Sequence, residues 1–213
     1  MFIELVDVLR CPVPHEESWL VASSTRMEAR HIVDGLLGCP VCHAQYAVHN
    51  GVADFRREPV LALPGEPDPF LRGDAATAMR LAAFLGLSDA LGFVVLLDEW
   101  GAQASALREL VETPILLVDP PAGRDGEPGI SVVLSDGVPP LAAGAARATA
   151  VGDSSAERAA AAVRLTRVGG RLVGPARLAV PAGVREIARD DTLWVGEKEP
   201  ERSPLVTLHV RRS

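Results

Sequence analysis

Three short apolar runs, each followed closely by an acid, constrain this chain more than any other feature. Phe93-Val-Val-Leu-Leu97 runs into Asp98, Pro114-Ile-Leu-Leu-Val118 into Asp119, and Ile130-Ser-Val-Val-Leu134 into Ser135-Asp136. A run with no polar alternation has no face to turn to water, so each reads as a strand buried on both sides. Helical stretches fall between and around them. Asp74 stands as an N-cap before an apolar helix from Ala75 to Leu87, and Ala102 to Glu112 is helical by composition. Asp153-Ser-Ser-Ala-Glu caps a helix to about Val168, which Gly169-Gly170 ends. Arg147 to Val151 and Arg171 to Val173 supply two further strands. Pro181 opens a short helix to about Arg189. Thr192 to Gly196 and Leu205 to Val210 flank a charged turn and read as an antiparallel hairpin. The expected fold is therefore α/β: a mostly parallel sheet with helices on both faces and a C-terminal antiparallel hairpin. Such sheets take ligands beyond the carboxyl ends of their strands.

The remainder of the chain differs in character. A Pro- and Gly-rich strap, residues 56–73, separates the alternating segment from a Cys- and His-bearing one. The expected organisation is a ribbon at 1–56, a linker at 57–73 and a sheet domain at 74–213. All three Cys fall within the first 42 residues. An odd, clustered set suits reduced thiols and metal ligation better than a disulfide framework. The opening residues, MFIELVDVLR, carry two acids and no basic region ahead of an apolar stretch, so a cytoplasmic location is expected. No run is long enough for a membrane-spanning helix. The net charge of −7 gives no field to attract phosphate backbones, so nucleic acid is not an expected partner.

The metal-ligating pattern is Cys11-Pro-Val-Pro-His15 with Cys39-Pro-Val-Cys42-His43. Each loop can present two donors to one ion, and zinc takes four, tetrahedrally, from thiolate and imidazole. Cys11, His15, Cys39 and Cys42 are the expected ligands. His43, His31 or water is an alternative fourth, and a ribbon that folds without metal is a third reading. Trp19 to Ala22 and His31 to Val33 can pair as strands, and Asn50-Gly51 is a tight-turn signal. With Leu5 to Pro12, Tyr46-Ala-Val48 and Asn50 to Asp54, these pieces resemble the Trm112-like zinc-binding family over about residues 3–55. That resemblance implies a small zinc ribbon. Where the family carries a second Cys in the first loop, this chain has Pro14 and then His15.

The second segment resembles the Rossmann-like fold of class I S-adenosylmethionine methyltransferases, most closely over Ser154 to Pro175. The resemblance implies a cofactor loop after the first strand and assigns Asp98, Gly101, Asp119 and Asp136 as candidate cofactor contacts. The loop departs from the family's three glycines. Trp100, Ala102 and Ala104 stand at those positions, and Gly101 falls between them. No His lies between residues 50 and 208, so no His general base is available there, and no catalytic residue is assigned. Two readings follow. In the first, the protein has lost S-adenosylmethionine binding, carries structural zinc and acts as a non-catalytic accessory that binds a protein partner; a homo-oligomer is compatible with it. In the second, it is an active methyltransferase on a small molecule. The indole of Trp100 is expected to fill the space above the first strand's carboxyl end.

Overall fold

The computed structural model describes residues 1–57, 73–88, 91–121, 124–152 and 155–201. After a 3₁₀ turn at Ile3–Asp7 come β1 (Val21–Glu28), β2 (His31–Gly38), β3 (Gln45–His49) and β4 (Val52–Asp54). Then follow α1 (Ala75–Leu85), β5 (Val94–Leu97), a 3₁₀ turn at Asp98–Gln103, α2 (Ala104–Leu110), β6 (Ile115–Val118), β7 (Ile130–Leu134) and β8 (Ala146–Ala150). The last are α3 (Ala156–Leu165), β9 (Thr166–Pro175), β10 (Val184–Arg189) and β11 (Leu193–Lys198).

The three apolar runs become β5, β6 and β7, parallel neighbours in which nearly every residue is buried. Their alternation divides two cores. Val95, Leu97, Leu116 and Val133 face one layer; Val94, Leu96, Ile115, Leu117 and Val132 face the other, under α1 and α2. β5 lies between β6 and β8, so the run of parallel strands from β5 onward starts at the centre, builds outward through β7, and returns to the other side. That reversal makes a crevice at the carboxyl ends of β5, β6 and β8, where doubly wound sheets hold ligands. The sheet is closed on the β9 side by β11, antiparallel to β9, with β10 outside it. This is the expected Rossmann-like, mostly parallel sheet with an antiparallel hairpin.

Two local expectations need correcting. The stretch from Pro181 to Arg189, expected as a helix, contains β10, so the hairpin is β10–β11. Its Val-Arg-Glu-Ile-Ala-Arg sequence lies on a solvent-facing edge, where alternation in burial is weak and a strand loses its periodic signature. The expected partner, Leu205 to Val210, lies outside the described residues. The helix expected to reach Val168 stops at Leu165. Thr166 already belongs to β9, with its Oγ1 donating to Ala162 O at 2.8 Å and paired with Thr149 Oγ1 at 2.8 Å. Gly169 and Gly170 form an irregularity inside β9, opposite Ala146–Ala148. A Cβ on Gly170 would lie 2.5 Å from Arg147 O, so the glycine permits close backbone approach and stops no helix.

The N-terminal strands form an antiparallel meander, β1–β2–β3–β4, with Asn50 and Gly51 both at positive φ in the β3–β4 turn. β4 then pairs in parallel with β7, Val52 opposite Val132 and Asp54 opposite Leu134. The eleven strands among the described residues thus make one sheet. Among the described residues no helix connects β6 to β7 or β7 to β8, and the chain's first ten residues cover that face instead. Met1, Phe2, Leu5 and Leu9 are buried in the same core as Phe93, Leu116 and Val133. Phe2 N donates to Ser131 Oγ at 2.8 Å, and Arg10 N to Pro140 O at 2.8 Å. Sheet and core therefore run across residue 56. No helix among the described residues is long and apolar enough to cross a membrane.

Candidate functional site

Two places gather chemically capable side chains. The first is at the tip of the ribbon. Cys39 follows β2 and begins a knuckle in which Cys39 N donates to Ala44 O at 2.9 Å and His43 N to Cys39 O at 3.0 Å. His43 takes the left-handed conformation that closes the turn. The facing loop is pinned where Cys11 N donates to Ser18 O at 3.1 Å. The donor atoms of Cys11, His15, Cys39 and Cys42 lie within 4.8 Å of one another. Cys11 Sγ is 3.6 Å from Cys42 Sγ, and Cys39 Sγ is 3.4 Å from His15 Nε2. A tetrahedral zinc with ordinary bond lengths has ligand–ligand edges of about 3.3–3.8 Å, so both pairs already sit at an edge's length.

The surroundings suit a cation. Burial opposes ionisation of Cys39, but backbone N–H groups of Cys42 and Val41 and the neighbouring thiols outweigh it and bring its pKa down to about 6. Burial pushes the Cys11 thiol up, partly offset by the Tyr46 hydroxyl 3.5 Å away. His15 Nδ1 lies 2.5 Å from Glu16 O, a carbonyl that accepts a hydrogen bond from Nδ1–H, so the Nε2 lone pair faces the cluster. The four residues could hold a metal ion, and the set is the one expected. His43 is exposed and outside the cluster. His31 lies in β2, 6 % exposed, its pKa lowered to about 4 by burial and the Met1 amine. It belongs to the fold and not to the cluster.

The second place is the crevice. β5 delivers Asp98 and β6 delivers Asp119, both at positive φ (54° and 49°), an uncommon backbone for a residue with a side chain. Their carboxylates turn toward one guanidinium, that of Arg158 on α3. Arg158 Nη2 lies 2.9 Å from Asp98 Oδ1 and 2.5 Å from Asp119 Oδ2, and Nη1 donates to Gly137 O. Its side chain is only 11 % exposed. Burial works against the charge, yet the two carboxylates more than offset it and hold the Arg158 pKa above its ordinary value. Asp119 also accepts from Ser135 N at 2.6 Å and Ser135 Oγ at 2.9 Å. Asp136 accepts the backbone N–H of Arg57 at 2.7 Å. All three candidate cofactor acids are thus engaged by this chain's own groups.

The loop after β5 adds contacts of its own at this end of the sheet. Trp100 Nε1 donates to Val151 O, just past β8, at 3.0 Å. A Cβ built on Gly152 would fall 2.1 Å from a Glu99 carboxylate oxygen, so Glu99 reaches the same strand end. A Cβ on Gly101 would fall 2.7 Å from Pro120 Cβ. The absence of a side chain at Gly101 lets the loops after β5 and β6 approach closely. The indole of Trp100 ties β5's loop to β8 and packs toward the α1–α2 core, while the group between the acids is Arg158.

Sequence reasoning did not single out Arg158, although a signal was present. Ser155 caps α3 and accepts from Arg158 N, which puts a cation in the first helical turn, where the helix dipole favours acids. A basic residue there needs an external reason.

The strand order and the crevice define the class: a Rossmann-like, mostly parallel sheet that carries a Cys/His cluster on added strands. No known family model matches the sequence, and no curated protein matches it. Among solved structures, the chain is similar to a putative S-adenosyl-L-methionine-dependent methyltransferase from Methanococcus maripaludis, with 11 % identity, 62 % of this chain, 87 % of that one and a TM-score of 0.44. It is also similar to a chain from the complex between the Haloferax volcanii Trm112 methyltransferase activator and a putative methyltransferase, with 11 % identity, 58 % and 90 % coverage and a TM-score of 0.43. A third is geranyl diphosphate C-methyltransferase from Streptomyces coelicolor A3(2), solved with Mg2+, geranyl diphosphate and S-adenosyl-L-homocysteine, with 18 % identity, 47 % and 44 % coverage and a TM-score of 0.38. The chain spans less than half the length of that methyltransferase.

Proposed function

We propose that this protein is a non-catalytic, methyltransferase-like accessory that holds a structural zinc ion in its ribbon and acts by binding a protein partner. The observation that carries the reading is Arg158, whose guanidinium stands between Asp98 and Asp119 where a cofactor-binding sheet keeps open space. A ligand entering there must break two charge-assisted hydrogen bonds and leave two carboxylates unpaired. The contacts of Gly101 with Pro120 and of Trp100 with Val151 support the same reading. Support for a protein partner comes from the ribbon, which exposes Val13, Trp19, Val21, Leu36 and Val41. Reducing surroundings, as in a cytoplasm, keep its three thiols available as ligands.

Zinc would be held by Cys11, His15, Cys39 and Cys42 and would supply folding free energy rather than chemistry, since four protein ligands leave no open position. The deciding experiment is calorimetry of the unmodified protein with S-adenosylmethionine and S-adenosylhomocysteine. The expected result is no heat of binding at millimolar ligand. Micromolar affinity for either would overturn the reading and favour an active methyltransferase.

A further inference from the structure

We propose that Asp98 and Asp119 form a guanidinium-binding pair of which Arg158 is the resident cation, so that a small planar guanidinium from solution takes the place once Arg158 is truncated. The inference rests on the reading of the crevice as closed and extends it to the chemistry of the seat itself.

The geometry selects shape as well as charge. The two acids come from adjacent parallel strands, and each has a positive φ. Arg158 uses all three of its nitrogens: Nη2 to both acids, Nε toward Asp98 Oδ2 at 3.4 Å, and Nη1 to the Gly137 carbonyl. Acceptors therefore surround a flat fork with donors on three sides. An ammonium is a compact point charge and cannot lie in that plane and reach all of them.

Two features make the seat independent of its occupant. Asp119 is held from its other side by two hydrogen bonds from Ser135, so its orientation survives loss of the arginine. The cation also sits in the first turn of α3, where the helix dipole disfavours it. Its position is thus set by the acids and not by the helix that carries it.

The test uses the full chain with Arg158→Ala, melted in methylguanidinium chloride, ethylammonium chloride or sodium chloride at matched ionic strength. The variant is expected to melt about 5–10 °C below the wild type, as for loss of one partner from a part-buried ion cluster. Millimolar methylguanidinium should recover at least half of that loss, and the other two salts should not. It should leave the wild type and the Arg158→Ala/Asp119→Asn double variant unmoved. An Arg158→Ala protein that melts with the wild type, or equal recovery by ethylammonium, overturns the proposal. Should the alanine variant fail to fold, Arg158→Lys keeps the charge without the plane. It should melt below the wild type, and an unchanged melt likewise overturns the proposal. Cofactor binding by the wild type would sink the non-catalytic reading alone, whereas absent rescue in a wild type indifferent to cofactor sinks only the guanidinium pair.

Discussion

The ribbon tip and the crevice both gather groups that favour a cation, and they differ in where the cation comes from. At the tip, three thiols and an imidazole converge on one point. In the crevice, two carboxylates converge and the chain supplies its own guanidinium. The first site is left incomplete by the described residues, which suits an ion from outside; the second has its counter-ion within the chain. The contrast separates a metal-binding reading at one end from a non-binding reading at the other, although the same polypeptide builds both.

The largest expected effect tests the incomplete site. Cys39→Ser should lose the metal, read as a fall in zinc content from near one per chain, and should lower the melting temperature by more than about 10 °C. Because β4 pairs with β7 and Phe2 and Leu9 share a core with Phe93, the melt should remain one transition for the whole chain. Freshly purified, unchelated protein without zinc, or a melt in two steps, breaks that side of the comparison. His15→Ala should weaken zinc retention and His43→Ala should not; the reverse would move the fourth ligand to the exposed histidine.

On the completed side, Gly101→Val should cost roughly 2–3 kcal/mol, because the space is filled by Pro120. A valine tolerated at no cost in denaturant melts would mean that the loops stand apart. Trp100→Phe keeps most of the packing but drops the hydrogen bond to Val151 O, and about 1 kcal/mol is expected. Ser135→Ala removes one of several bonds to Asp119 and should cost less, about 0.5 kcal/mol, because the Ser135 backbone N–H and Arg158 stay in place. A loss above 2 kcal/mol there would make Ser135, and not Arg158, the main support of that acid.

Much of this was legible in the residues. β5, β6 and β7 announced themselves because burial on both faces leaves a strand no polar alternation, and α1 showed its cap in Asp74. The four gathered donors at the ribbon tip were legible because each loop sets two Cys or His residues a few positions apart. What stayed hidden depends on distance along the chain. Arg158 meets Asp98 across sixty positions, and no local spacing encodes that meeting. The β4–β7 pairing joins segments separated by the Pro-rich strap, whose composition speaks for separation. β10 was misread because an exposed edge strand carries no burial periodicity, and Gly169-Gly170 because a strand irregularity and a helix stop use the same residues.

The β4–β7 ladder also sets an order of events at the ribosome. Val52 pairs with Val132, so the ribbon is synthesised about eighty residues before the strand it must join. At roughly 5–20 residues per second, that is a wait of about 4–16 seconds. Throughout it, the edge of β4 lacks its partner, and Phe2, Leu5 and Leu9 lack the part of their core that Phe93, Leu116 and Val133 supply. The knuckles, by contrast, are complete once Cys42 has emerged. A metal captured then would fold the tip first and hold the nascent ribbon together until the rest of the sheet arrives, making ion supply during translation a determinant of yield.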